Sequence, residues 1–201
     1  MKSLKPLSKN KKIYSTKELM AKGLTYYKIN QLVLSGNLTK LNKSYYENND
    51  YQEDDNDFFY VSAYAPDGVV CLMSAAVYYN LTSFIPDAVD IAIPKKKKIT
   101  TLPDWPIFKL YYFDGLKYEL GIEDITIGEN CFRIYGIEKT VADIINYRNK
   151  IGIEEAKEIL KSYLSKENRN LNLLIKYSKQ LKCYDILSTY LEVLLWLVQS
   201  L

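Results

Sequence analysis

Apolar and polar positions change rhythm several times along the chain, and each change predicts an element. Ser15-Thr16-Lys17-Glu18 has the form of a capping box, in which Ser15 caps a helix and Glu18 reaches back to it. The helix runs on through Leu19-Met20-Ala21-Lys22 and ends at Gly23, which accepts the left-handed conformation of a helix stop. Leu24 follows, and Thr25 is a second N-cap. A second helix, about 26–35, ends at Gly36. Ile29, Leu32 and Val33 lie on one side of it at i, i+3, i+4 spacing and point inward. Tyr27, Lys28, Asn30 and Gln31 fall away from that stripe. Two short helices around a Gly-containing turn have helix-turn-helix spacing. Leu38, Leu41 and Tyr45 then predict two short strands around an Asn42-Lys43 turn, a hairpin in the position of a wing. A short helix is expected within the first eleven residues, limited by Pro6.

Beyond residue 57 the pattern is that of a larger unit. Residues 57–64 read as helical, stopped by Pro66-Asp67-Gly68. Residues 69–79, apolar with small residues, read as a buried helix. Residues 89–94 alternate in the strand period, 107–113 form a second strand, and 125–127 with 131–135 flank a turn as a hairpin. After Gly136 the period becomes helical to the end. Glu138 to Arg148 opens that region. Ile153, Ala156, Ile159, Leu160, Tyr163 and Leu164 make a second stripe, and Leu171, Leu174, Ile175, Ser178 and Leu181 a third. The last segment, 184–198, is apolar nearly all round, the mark of a helix central to a core or carrying a docking surface; the core is the expectation. The predicted class is α+β: an N-terminal winged helix-turn-helix over 1–50, then an α+β domain over 57–201 with a small sheet and a C-terminal helical bundle.

Charge sharpens this division. Residues 1–45 carry ten lysines and a single acid, Glu18, a net +9, although the whole chain carries +3. Glu47, Asp50, Glu53, Asp54, Asp55 and Asp57 follow at once, as an acidic linker. A strongly basic small module suggests a polyanionic partner, of which nucleic acid is the commonest. Asn30 and Gln31 have the chemistry to pair with adenine edges and Lys28 with guanine or phosphate. Tyr27 can donate to phosphate, and Thr25 stands at the same helix start. Lys17, Lys40, Asn42 and Lys43 are the expected contacts to the DNA backbone, with the hairpin tip reaching phosphates or the minor groove. Lys95, Lys96, Lys97 and Lys98 follow the strand at 89–94 and could add phosphate contacts, although a solvated loop explains them as well.

Composition removes several classes of chemistry. With 48% apolar and 25% charged residues the chain is of globular type rather than disordered. It has no histidine, which excludes Ser-His-Asp and Cys-His hydrolases and imidazole zinc sites. Cys71, Cys131 and Cys183 are far apart and in apolar contexts, and read as buried, reduced cysteines of a cytoplasmic protein. Neither a phosphate-binding loop nor a dinucleotide fingerprint occurs. No metal, cofactor or enzymatic activity is expected, and no apolar run is long enough for a membrane span or a secretory signal. Asp90 on a strand with lysines nearby has one feature of a metal-dependent nuclease, but the Glu-x-Lys strand that such enzymes need is missing. Asp143, near a helix start, reads as a salt-bridging or capping residue. The abundance of tyrosine accompanies high Lys, Asn and Ile, as an AT-rich genome encodes, and carries no argument for base stacking.

Four passages, in order, resemble one family. They are Tyr14-Ser15-Thr16-Lys17-Glu18-Leu19 with Lys22-Gly23-Leu24, Ser35-Gly36-Asn37-Leu38 and Tyr45-Tyr46; Ser74-Ala75-Ala76 through Leu81; the strand Val89-Asp90-Ile91-Ala92-Ile93-Pro94; and Lys139-Thr140-Val141-Ala142-Asp143. Together they resemble the AbiEi-type antitoxins of type IV toxin–antitoxin systems, bacterial regulators of abortive infection and phage defence. Tyr79-Asn80 stands where that family usually has His-Gly, Ser44 where its wing often has Gly, and Lys139 where it has Arg. The resemblance implies a transcriptional autorepressor that binds inverted repeats in double-stranded DNA of its own promoter. It also implies an antitoxin paired functionally with a nucleotidyltransferase-like toxin, without need of a stable complex. Two other readings stand beside this one. One is a protein-interaction module with a non-specific DNA-anchoring head, docking through its apolar C-terminal helix; the other is the nuclease already weighed.

Overall fold

The computed structural model describes residues 7–199, with side chains from 7 to 194. The chain is mixed α+β, built on two small sheets. The first unit contains β1 (Ile13–Ser15), α1 (Thr16–Ala21), α2 (Tyr26–Leu34), β2 (Leu38–Lys40) and β3 (Tyr45–Asn48). Its strands are antiparallel in the order β1-β3-β2, with Tyr14 opposite Tyr46 and Lys40 also opposite Tyr46 on the other side. Both parts of the capping box form: the Glu18 amide donates to Ser15 Oγ at 3.2 Å, and the Ser15 amide donates to Glu18 Oε2 at 2.7 Å. Thr25 caps α2 by accepting from the Lys28 amide. Gly23 and Gly36 end the two helices with φ of +89° and +80°, where a side chain would be strained. Tyr14, Leu19, Leu24, Ile29, Leu38 and Tyr46 close a small core, with Leu32 and Val33 packed against it. Of the helix expected in the first eleven residues, 1–6 lie outside the described residues, and 7–11 form no helix.

The second unit follows an irregular stretch. Residues 57–64 are not one helix but a 3-10 turn, Asp57–Tyr60, that runs into α3 (Val61–Tyr64). The expected helix over 69–79 also divides. Val69–Val70 forms β4, the chain turns at Cys71 and Leu72, and α4 spans Leu72–Tyr78. Then come β5 (Val89–Pro94), β6 (Phe108–Phe113), α5 (Gly115–Glu119), β7 (Ile122–Ile127) and β8 (Asn130–Tyr135). The helices α6 (Ile137–Ile151), α7 (Ile153–Leu164), α8 (Leu171–Gln180) and α9 (Tyr184–Gln199) complete the chain. The five strands lie in the order β6-β5-β4-β8-β7. The β5–β6 and β4–β8 pairs are parallel, and the β4–β5 and β7–β8 pairs antiparallel.

Strand alternation sends side chains to both faces of this sheet, and both are covered. Val70, Ile91, Ile93 and Ile134 face Phe59, Val61 and Ala63 of the turn and α3. Val69, Ala92 and Tyr135 face the helices, where Val141, Ile144 and Ile145 of α6 meet Ile159, Leu160 and Tyr163 of α7. Among the described side chains of α9, Leu187 is buried in this second core and Leu191 and Leu194 pack against it, while Val193 stays exposed; the rest of the apolar segment expected there, 195–198, lies outside the described side chains. Cys71 and Cys183 are buried as expected, but Cys131 is exposed: it occupies an outward position of β8, where apolar sequence neighbours point to the opposite face.

Leu72 has φ +45°, unusual for a bulky residue. Asp90 holds the chain on both sides of it. Its carbonyl accepts from the Cys71 amide at 2.9 Å and its carboxylate from the Met73 amide at 3.1 Å. Asp90 therefore works as a clamp at the β4–α4 turn.

Within α6, Lys139 and Asp143 form an ion pair one turn apart, and neither side chain is exposed to solvent. The salt-bridging expected of Asp143 is thus present, at a depth where ion pairs are uncommon.

Candidate nucleic-acid interface

The first unit is held against the second by polar contacts on its inner side. Asn130, in the β7–β8 hairpin, accepts from the Lys12 amide at 2.8 Å and donates to the Asn10 carbonyl at 3.2 Å. Lys12 Nζ lies 2.9 Å from both Glu47 and Asp55. Burial favours its neutral form, but the bonds to Asp55 and Glu47 outweigh that and raise its pKa above the ordinary lysine value. Tyr60 donates to Glu47 at 2.7 Å, and burial together with that carboxylate keeps the phenol protonated far beyond its ordinary range. Ile13, Leu41 and Tyr45 reach into the core of the second unit. Two carboxylates of the acidic stretch thus turn inward onto Lys12, while Asp50 accepts from Asn37.

The opposite side of the unit is open. Tyr26 and Tyr27 are 61% and 72% exposed, and Asn30 and Gln31 are exposed one turn further along α2. Lys28 is half-buried. Lys17 on α1 is exposed, as are Lys40 and Lys43 on the hairpin. Among the described residues, Lys17, Lys22, Lys28, Lys40 and Lys43 have no carboxylate within ion-pair distance, whereas Lys11 pairs with Glu18. The residues Tyr27, Asn30 and Gln31 therefore share one solvent-facing side of a rigidly capped helix, and unpaired cations flank it. That arrangement can bind a polyanion through charge while presenting amides in a fixed register.

Two of the expected contact residues have other tasks. Asn42 was expected at the hairpin tip, reaching for DNA, but it turns inward. Its Nδ2 donates to the Ala63 carbonyl at 2.9 Å, and its Oδ1 accepts from the Ser44 and Tyr45 amides at 2.9 and 3.0 Å. Each end of the amide thus has a partner within the protein, and one Nδ2 hydrogen is left over. The reason is tertiary. The backbone here carries donors that the two-residue turn leaves unpaired, and α3 brings a free carbonyl alongside. Thr25 accepts from the Lys28 amide with its hydroxyl oxygen, which positions α2, and its O–H remains free to donate.

Two lysines of the four-lysine turn after β5 have carboxylate partners. Lys95 pairs with Asp114 at 3.0 Å and Lys97 with Asp67 at 2.9 Å, both in the open. Lys96 and Lys98 are exposed. Sequence reasoning missed the carboxylate partners because Asp114 and Asp67 are distant in the chain and reach the turn only through the fold of the sheet.

Asp90, the residue that suggested metal chemistry, accepts a bond from the start of α4 and is nearly buried; burial raises its pKa, with Lys109 and the Met73 amide opposing. No helix among the described residues is long and apolar enough to cross a membrane. Comparison with known protein families and with curated proteins finds no match for this chain.

Proposed function

We propose that residues 1–50 are a winged helix-turn-helix, with α2 as recognition helix and the β2–β3 hairpin as wing, and that the protein is a sequence-specific, DNA-binding autorepressor. The observation that carries this reading is the solvent-facing side of α2, where Tyr27, Asn30 and Gln31 stand together beside lysines that have no carboxylate partner among the described residues. In this reading Asn30 and Gln31 address base edges in the major groove. Tyr27 and Lys28 border the groove, and Lys17, Lys40 and Lys43 bind phosphates on either side. Asn42 holds the wing at a fixed angle on α3 so that Lys40 and Lys43 project from its free side. No catalytic step is assigned to the protein, and Asp90 is kept as a structural clamp.

The second half of the proposal, antitoxicity in a type IV toxin–antitoxin system, rests on the resemblance of the four sequence passages to AbiEi-type antitoxins. It places the protein in the cytoplasm, functionally paired with a nucleotidyltransferase-like toxin. Its test is rescue of growth when the chain is co-expressed with such a toxin from the neighbouring gene.

The DNA half is tested by fluorescence anisotropy with DNA from upstream of its own operon against scrambled DNA, at two salt concentrations. A preference of about 10³-fold or more is the expected result for a specific binder. Equal, salt-sensitive binding to both DNAs would refute the recognition role of α2 and leave the basic face as an electrostatic anchor.

A further inference from the structure

The edge of the five-stranded sheet where β5 and β6 begin carries an apolar surface that the DNA reading does not use. The segments entering these parallel strands run side by side, joined where the Val89 amide donates to the Ile107 carbonyl at 2.8 Å. On them Ile85 is 83% exposed, Trp105 68%, Phe84 53% and Ile107 50%. Single exposed apolar residues are ordinary; several large ones on two adjoining segments mark an interaction surface. Between them lies a cavity of about 180 Å³, walled by Phe58, Val77, Ile85, Trp105, Pro106 and Ile107. A cavity of about 150 Å³ suffices to hold a benzene molecule. This one therefore has room for a single aromatic or branched aliphatic side chain.

The charges at its mouth select the partner. Asp57 and Asp87 line the cavity, and no lysine or arginine among the described residues does; Asp104 is not part of the lining but is exposed next to Trp105 in the chain. Burial, with Asp55 adding to it, holds the Asp57 carboxyl above its ordinary value, and Lys12 only partly offsets this. An acidic rim in a chain of net charge +3 repels phosphate, so nucleic acid and anionic lipid headgroups are poor occupants. A second copy related by a two-fold axis would set the same carboxylates against each other.

We infer that this edge is a docking site for a protein segment that inserts one aromatic or branched aliphatic side chain between Ile85 and Trp105 and lays lysines or arginines against Asp57, Asp87 and Asp104. Trp105 is the anchor, since an exposed indole beside an apolar slot supplies most of the contact area and loses little side-chain freedom. The inference does not depend on DNA binding, because the surface belongs to the second unit and shares no residue with the α2 face.

The test is a selection of short random peptides on the full-length protein, followed by anisotropy titration of the enriched peptides. The expected peptides carry one bulky apolar residue flanked by Lys or Arg. Trp105→Ala, and separately Ile85→Ser, should weaken them by about tenfold or more. The double substitution Asp87→Lys with Asp104→Lys should shift the enriched flanks toward Asp and Glu. Ile85 and the two aspartates are exposed, and an unchanged melting temperature and circular dichroism spectrum would confirm that these variants keep the fold. The inference is overturned if no peptide is enriched, if the enriched peptides bind the Ile85→Ser variant equally, or if charge reversal leaves the selected flanks unchanged. A dimer in sedimentation that Ile85→Ser dissolves would also overturn it, by showing that a second copy covers this face.

Discussion

Removing the carboxylate of Asp143 should destabilise the protein severely, while removing both members of its ion pair should not. Lys139 and Asp143 have no solvent-exposed side-chain surface. The ammonium sits 4.0 Å from the centre of the Tyr135 ring and 5.5 Å from that of Phe113, and Asp143 Oδ1 has no hydrogen-bond partner among the described residues. Burial pushes the Asp143 carboxyl up and the Lys139 amine down, each opposed by the charge of the other. Asp143→Ala leaves the ammonium with only aromatic faces to compensate it, a change that costs about 3–5 kcal/mol in comparable buried pairs. For a chain of this length each kcal/mol shifts the melting temperature by about 2–4 °C, so a drop on the order of 6–20 °C follows. The double substitution Lys139→Met with Asp143→Leu replaces the charges by apolar groups of similar size. Such replacements are often neutral or stabilising. Urea unfolding followed by circular dichroism, for the parent, Lys139→Met, Asp143→Leu and their combination, with Asp143→Ala beside them, measures the coupling directly. A cost below about 1 kcal/mol for Asp143→Ala, or a double variant as unstable as the sum of the singles, would refute this account of the pair.

Three further outcomes are expected. Asn30→Ala or Gln31→Ala should cost about 1–3 kcal/mol on the specific DNA site, whereas Lys43→Ala should weaken all sequences alike and reduce the salt slope by about 1, as titrations at several salt concentrations would reveal. Asn42→Ala should lower stability by about 1–3 kcal/mol through the loss of its bonds to Ala63, Ser44 and Tyr45, with the salt slope of DNA binding unchanged; a reduced slope would return Asn42 to the set of phosphate contacts. Glu18→Gln should be destabilising near neutral pH, toward the lower end of about 0.5–2 kcal/mol for a helix cap because Glu18 is partly exposed. Burial works against the Glu18 charge, but the Lys11 ammonium and the Ser15 amide and hydroxyl prevail and hold its pKa below 4.5. Its stabilisation is therefore complete above pH 4.5 and is lost as pH falls through the lower folded value. Melting curves of parent and variant should converge at acidic pH, and a constant gap would contradict that linkage.

Local signals along the chain determined much of what is seen. The capping box at Ser15, the glycines that close both helices and the inward stripe of Ile29, Leu32 and Val33 are relations between residues a few positions apart. Their physics is complete within one turn of helix, so the sequence carries it in full. The same holds for β5, β6, the β7–β8 hairpin and the C-terminal helices, whose periods are long enough to read. The polar side of α2 was legible for the same reason, since helical spacing alone turns Asn30 and Gln31 away from the stripe of Ile29, Leu32 and Val33.

Tertiary structure decided what those local elements do to one another. Val69-Val70 lies in an apolar run that suits a helix or a strand, and only its place between β5 and β8 makes it β4. The acidic stretch read as a linker, yet Glu47 and Asp55 close on Lys12 and remove one lysine from the basic face. Asn42 is a turn residue by sequence and a tether by structure, because α3 brings the Ala63 carbonyl within reach. Lys139 and Asp143 have helical spacing, but nothing in that spacing says that the pair is buried, with Tyr135 and Phe113 of the sheet facing the ammonium. The apolar edge around Trp105 exists only because β5 and β6 start side by side. In each case the partner is distant in the chain, and its approach depends on how the whole core packs, a property that no short window of sequence contains.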